Sequence, residues 1–225
     1  MDLRVLSILF FVIGLILYAL VYGFDYVIFM QTGDKKYSFL RYFPYELNQF
    51  RLRNKKTYLL VFIELLAVVC LISANLFPAI YFSQKLNVFI PSYSMFVVAS
   101  ISIISFLVLR FVKLTLFKTH LFFVTLFVAF NLFTLMLYYM FFTNQDFQFV
   151  TDLGVKIAII VICLILVVFE VFLMLNKTYK NWAKMVKMDA ELVSRPKYCY
   201  LPILEWGSFL VYIFSYIPLI VVMFF

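Results

Sequence analysis

The sequence predicts an all-α membrane protein: a bundle of about six transmembrane helices with one or two short cytosolic interfacial amphipathic helices. Three observations predict it. Hydrophobic residues make up 66% of the chain and charged residues only 13%, whereas a soluble domain carries roughly one-quarter charged residues. Mean hydropathy is +1.06. Apolar runs long enough to cross roughly 30 Å of hydrocarbon recur along the whole chain, so residues 1–225 read as a single polytopic transmembrane domain.

The first run, residues 5–30, contains one charge, Asp25. A helix of about 20 residues already spans a bilayer. The run is longer than the apolar region of a cleavable signal peptide, and no small-x-small cleavage site follows it. The second span, 58–82, is interrupted by Glu64, Asn75 and Pro78. The third, 95–117, has a short purely apolar part, but the long stems of Arg110 and Lys113 can snorkel to the headgroups and extend it. The fourth, 121–142, contains Asn131, the fifth, 155–175, contains Glu170, and the sixth, 201–225, carries Glu205 and Pro218. Prolines at 78 and 218 free a backbone carbonyl and can kink a span, with a structural or a transport role. GxxxG is absent and the chain has 30 Phe and 16 Tyr against 5 Gly, so helix contacts fall to Ala, Ser and aromatic side chains.

Basic residues set the orientation, because loops rich in Lys and Arg resist translocation. One such loop holds Lys35, Lys36, Arg41, Arg51, Arg53, Lys55 and Lys56; the turn after the third span adds Arg110, Lys113 and Lys118. The stretch before the sixth span adds Lys177, Lys180, Lys184, Lys187, Arg195 and Lys197. These alternate loops hold all of the 19 basic residues except Arg4, Lys85 and Lys156. The expectation is a multi-pass protein of a bacterial plasma membrane or organellar inner membrane with both termini non-cytosolic.

Two basic segments carry helical patterns. Trp182, Val186 and Val193 form one stripe and Lys180, Lys184, Lys187 and Glu191 another, as in an interfacial helix lying on an anionic leaflet. Lys180, Trp182, Lys184 and Lys187 are its candidate anchor. In the first loop, Pro44 opens a short helix with Leu47 and Phe50 inward and Arg51 and Arg53 outward. Either segment is alternatively a connector whose charge only fixes topology. The anionic cytosolic leaflet is the expected partner, other membrane subunits are candidates, and no nucleic-acid binding is expected despite the net charge of +8, since no basic patch is interleaved with exposed aromatics.

Several chemistries lack their residues. Cys70, Cys163 and Cys199 form no CxxC, and His120 is the sole histidine, too few for paired haem ligands or a His-rich metal site. P-loop, GxSxG, HExxH and GxGxxG motifs are all missing. No cofactor and no metal are expected.

Charges inside hydrocarbon are the remaining pointers, since each costs at least about 2.5 kcal/mol at a helix centre on insertion scales. Glu64, Arg110, Glu170 and Glu205 all fall toward the cytosolic ends of their spans. Glu64, Glu170 or Glu205 can therefore meet Arg110 or Lys113 as buried ion pairs. A second reading is a cytosol-facing ligand or ion pocket built from Glu64, Arg110, Lys113, Glu170 and Glu205. A third is simple snorkelling.

Arg195, Pro196, Lys197 and Tyr198, followed by Glu205, Trp206 and Gly207, resemble the last conserved region of the membrane methyltransferases and steroid 5-alpha-reductases. That resemblance implies binding of a nucleotide-bearing cofactor. The match covers about a dozen residues and departs at key points: no histidine separates Arg195 from Pro196, and Tyr200 stands where a glycine is usual. It is not adopted. The leading expectation is a non-enzymatic subunit of a membrane complex, or a transport component with a cytosolic-leaflet polar site. The rival is a membrane enzyme acting on lipid-like substrates at the cytosolic interface, through Arg195, Tyr198 and Glu205.

Overall fold

The computed structural model describes residues 2–32, 38–39, 42–44, 47, 58–112, 116–147, 149–175 and 200–224. These form α1 (Leu3–Thr32), α2 (Tyr58–Leu86), α3 (Phe89–Phe111), α4 (Phe117–Thr143), a 3-10 turn (Gln145–Phe147), α5 (Leu153–Met174), α6 (Tyr200–Phe214) and α7 (Tyr216–Phe224). No strand occurs among the described residues. Six segments are long and apolar enough to cross a membrane, the last being α6 and α7 together, as the all-α membrane fold class requires. The protein is a multi-pass membrane bundle. The end where α1 finishes and α2 begins is called the lower end below.

The turns follow local chemistry. Asn87 ends α2 with φ of 54°, a left-handed conformation that asparagine tolerates better than most residues. Pro91 lies in the first turn of α3, where its missing N–H costs nothing. Asp152 caps α5 by accepting a hydrogen bond from the Val155 N–H at 2.8 Å, satisfying one of the orphan donors at a helix start. Outside the first span, the exposed Asp2 carboxylate accepts hydrogen bonds from the Arg4 guanidinium, which hold it below its ordinary pKa.

Helix α3 differs from its expected extent. It runs Phe89–Phe111 rather than 95–117, because Pro91 starts it a turn and a half early and Val112 is already extended. Several of the serines along it bond back to their own chain, as Ser92 does to the Val88 carbonyl at 2.6 Å and Ser105 to Ile101 at 2.7 Å.

The mid-span proline of α2 is compensated. Pro78 cannot donate to the Ala74 carbonyl, and that carbonyl accepts instead from Ser7 Oγ at 2.7 Å and Tyr216 Oη at 2.9 Å. Three spans are thereby tied together where one helix would otherwise lose a bond. Pro218 divides the last span into α6 and α7 at Ser215, whose hydroxyl donates to the Tyr212 carbonyl at 2.7 Å.

The last span is the centre of the bundle. Of its most apolar residues 61% are buried, against 28% for α1 and for α5, which turn much of their surface to lipid. It touches α1, α3, α4 and α5. Aromatic rings fill the seams: Phe209 stacks on Phe106 at 4.4 Å and meets Tyr18 edge-on at 5.7 Å, while Tyr216 stacks on Phe11 at 3.9 Å. Glycine appears where helices approach most closely. A Cβ on Gly14 would meet Leu71 at 2.9 Å and the Ala67 carbonyl at 3.1 Å, and one on Gly207 would meet Leu173 at 2.5 Å.

In the first connection Pro44 and Leu47 are helical, and Leu47 is buried against Phe29. Phe50, Arg51 and Arg53 lie outside the described residues, as do Lys113 and the whole basic stretch with Lys180, Trp182, Lys184 and Lys187.

Candidate functional site

The buried acidic, arginine and histidine side chains of the spans cluster within about two turns of the lower end, whereas Arg4, Lys85 and Lys156 lie toward the other end. Asp25 lies seven residues before the end of α1 and Glu64 six after the start of α2, about 10 Å along each helix. Arg110 is next to last in α3, Glu170 is four residues from the end of α5, and Glu205 is five residues into α6. By their hydrogen bonds and ion pairs they fall into three groups.

The first group is centred on Arg110, one of the largest fully buried side chains. Its Nε donates to Glu64 Oε1 at 2.7 Å and its Nη2 to Asp25 Oδ2 at 3.0 Å. Nη1 donates to the Pro44 carbonyl, and the guanidinium lies over the Tyr22 ring at 4.3 Å. The planar fork of arginine suits this position because its donors diverge to several acceptors while its face stacks on a ring. Arg110 therefore does not snorkel. It is drawn inward because two carboxylates on neighbouring helices, a loop carbonyl and an aromatic face replace water around it. The pocket expected from the sequence omits Asp25, the one charge of the first span; its position two turns from the end of an otherwise apolar run was the available signal.

The second group pairs Glu205 with His120. Nε2 of the histidine lies 2.9 Å from Glu205 Oε1, its Nδ1 lies 3.4 Å from the Val112 carbonyl, and both side chains are fully buried. The carbonyl can only accept, so Nδ1 carries a proton. The contact to Glu205 then needs one further proton between the two side chains, on either partner. Glu205 Oε2 makes no hydrogen bond among the described residues. The sequence alone raises His120 only as a metal ligand; it pairs with Glu205 because α4 and α6 pack together at the lower end.

The third group surrounds Glu170 on α5. The residue is fully buried, yet neither carboxyl oxygen has a hydrogen-bond partner among the described residues. Ser208 on α6 and Asn131 on α4 are the polar side chains that act on it. Asn131 is largely committed elsewhere, accepting from Ser102 Oγ at 2.5 Å and donating to the Ser208 carbonyl at 2.8 Å. The Ser208 hydroxyl has no partner among the described residues. Glu170 meets neither Arg110 nor any other cation described here, so no opposite charge offsets its burial.

Among the described residues no group of three His, Cys, Asp or Glu is placed to hold a metal ion. Arg195 to Tyr198 lie outside the described residues, and of the stretch that carried the family resemblance Glu205 is held by His120 while the Trp206 indole donates to the Tyr42 carbonyl at 3.3 Å. No protein-family model matches the chain, and neither the curated proteins nor the solved structures contain a match to it.

Proposed function

We propose that this chain is a non-enzymatic component of membrane transport, in which the Glu170 carboxyl is the exchangeable group that takes a proton or a small cation. One observation carries the proposal: Glu170 is a fully buried carboxyl without a hydrogen-bond partner among the described residues, in a bundle that matches Arg110 with two carboxylates and Glu205 with His120. Stabilising the fold does not account for an unpartnered carboxyl, whose burial is unfavourable in itself. Ionisable side chains at such positions mark ion and proton pathways in membrane proteins.

In this reading the Arg110 and His120 groups brace the lower end while Glu170 changes state. The distribution of Lys and Arg puts the lower end in the cytosol and both termini outside. The membrane is a bacterial plasma membrane or an organellar inner membrane. Lys180, Trp182, Lys184 and Lys187 rest on its anionic leaflet, and other membrane subunits are candidate partners.

The test is proton movement in liposomes reconstituted with the full chain under gradients of sodium, potassium or ammonium ions. Wild-type vesicles should move protons in response to at least one of these cations, and Glu170→Gln vesicles should not. Equal responses from the two, or a wild type no different from empty vesicles, would remove Glu170 from this role.

A further inference from the structure

A groove of about 290 Å³ opens between α4, α5 and α6, lined by Val124, Thr125, Val128, Met174 and Leu204. Val124, Val128 and Leu204 form its buried wall, while Thr125 and Met174 are exposed at its rim. Its position relative to Glu170 follows from helical register. Met174 comes four residues after Glu170 on a helix running toward the lower end. Leu204 comes four residues before Ser208, and Val128 three before Asn131, on helices running away from that end. Residues three or four apart share a helix face. These three lining positions are thus about one turn, roughly 4.5–6 Å along the helix axes, below the three polar groups. Glu170, Ser208 and Asn131 do not themselves line the groove; they lie above it in the seam between the same three helices.

We infer that this seam binds an amphiphilic organic cation, with an ammonium head against Glu170 and Ser208 and a compact apolar body in the groove. The inference rests on the reading of Glu170 as an exchangeable group and names the class of molecule it exchanges for. Three features select that class. A protonated amine carries donors and no acceptor, and the seam offers two carboxyl oxygens and a hydroxyl without hydrogen-bond partners among the described residues. Among the described residues the buried wall is aliphatic, which suits a hydrocarbon body. The rim residues Thr125 and Met174 are exposed on the outside of the bundle, open to an amphiphile arriving from the membrane. The volume is near the lower bound for small-molecule pockets, which favours a compact body over a long chain. The exchange balances in charge: the protonated carboxyl releases its proton as the ammonium ion arrives, leaving a carboxylate–ammonium pair.

Binding of adamantan-1-amine to the full chain in phosphatidylcholine nanodiscs tests this, with adamantan-1-ol as a neutral probe of the same shape. The protonated-carboxyl infrared band of Glu170, identified by its loss in Glu170→Gln, is followed in parallel. The amine should bind saturably, bleach that band and outcompete the alcohol. Glu170→Gln should weaken amine binding roughly tenfold or more. Thr125→Trp, at the exposed rim, should do the same while leaving the carboxyl band in place, which also shows the variant to be folded. Equal binding of alcohol and amine, or full amine binding by Glu170→Gln, would overturn the inference and leave the groove as a lipid-filled seam. No amine binding, with a carboxyl band that still responds to sodium or potassium ions, would overturn it while sparing the exchangeable Glu170. A band that responds to nothing would end both.

Discussion

The Arg110 group, assembled by α1, α2 and α3, and the Glu170 seam, assembled by α4, α5 and α6, lie at similar depth in one bundle yet treat buried charge in opposite ways. Around Arg110 the described residues supply two carboxylates, a carbonyl and an aromatic face. Around Glu170 they supply no cation, only the neighbouring Ser208 and Asn131 side chains. A charge that is paired on every side holds helices together but is not free to change state. A carboxyl left without a partner contributes nothing to holding the helices, and it can gain or lose a proton without breaking the protein's own bonds. On the proposed reading the bundle separates bracing from exchange, so substitution should cost stability at Arg110 and little or none at Glu170.

The largest effect is expected at Arg110. Arg110→Met should lower unfolding stability by about 3–5 kcal/mol, since removing one partner of a buried ion pair strands the others. Adding Asp25→Asn and Glu64→Gln to that variant should return much of the loss. A loss under about 1 kcal/mol for Arg110→Met would show the group to be solvated, like an exposed ion pair, and the comparison would fail. At the His120–Glu205 pair, Glu205→Leu should cost about 1–3 kcal/mol by leaving a buried imidazole unsatisfied. The double variant with His120→Leu should cost less than the sum of its parts, and strict additivity in such a cycle would mean that the two side chains are not coupled.

These differences explain how much could be read from the sequence. Six spans follow from apolar length alone, because a bilayer demands about 20 residues wherever a helix crosses it. The need for ion pairs at Arg110 was legible for the same reason, since hydrocarbon makes an unpaired guanidinium too costly. Which carboxylates would serve was not. Glu64 and Asp25 reach Arg110 while Glu205 turns to His120, and that choice depends on which helices are neighbours and how each is rotated. Periodicity gives no information about rotation when a span such as α4 is apolar on nearly every face. The central place of the last span was hidden for the same reason, and span three starts earlier than its apolar run suggests because Pro91 sits in a helical first turn.

A smaller effect is expected at the proline repair. Ser7→Ala should cost about 0.6 kcal/mol, and at most about 1.7, typical of a single hydrogen bond between membrane helices. Tyr216 still reaches the Ala74 carbonyl in that variant, so Ser7→Ala with Tyr216→Phe should cost more than either change alone. Thermal unfolding in detergent would measure both. If Pro78→Ala were added and the double loss persisted undiminished, the freed carbonyl would not be what those hydroxyls serve.

The smallest stability effect should come from the residue with the largest functional one. Glu170→Gln removes a carboxyl that makes no hydrogen bond among the described residues, so it deletes no bond from the fold. The amide is nearly isosteric and cannot ionise, so any cost of holding a carboxylate in the seam disappears with it. Stability should therefore stay within about 0.5 kcal/mol of the wild type or rise, which is ordinary for a substitution that touches no structural feature. That outcome, beside a loss of about 3–5 kcal/mol for Arg110→Met, separates the two regions more sharply than either variant alone. A destabilisation of more than about 2 kcal/mol by Glu170→Gln, seen in unfolding of the full chain in detergent, would mean that the carboxyl is bonded in the folded protein after all. Glu170 would then belong with Arg110 among the braces, and the exchange role proposed for it would be lost.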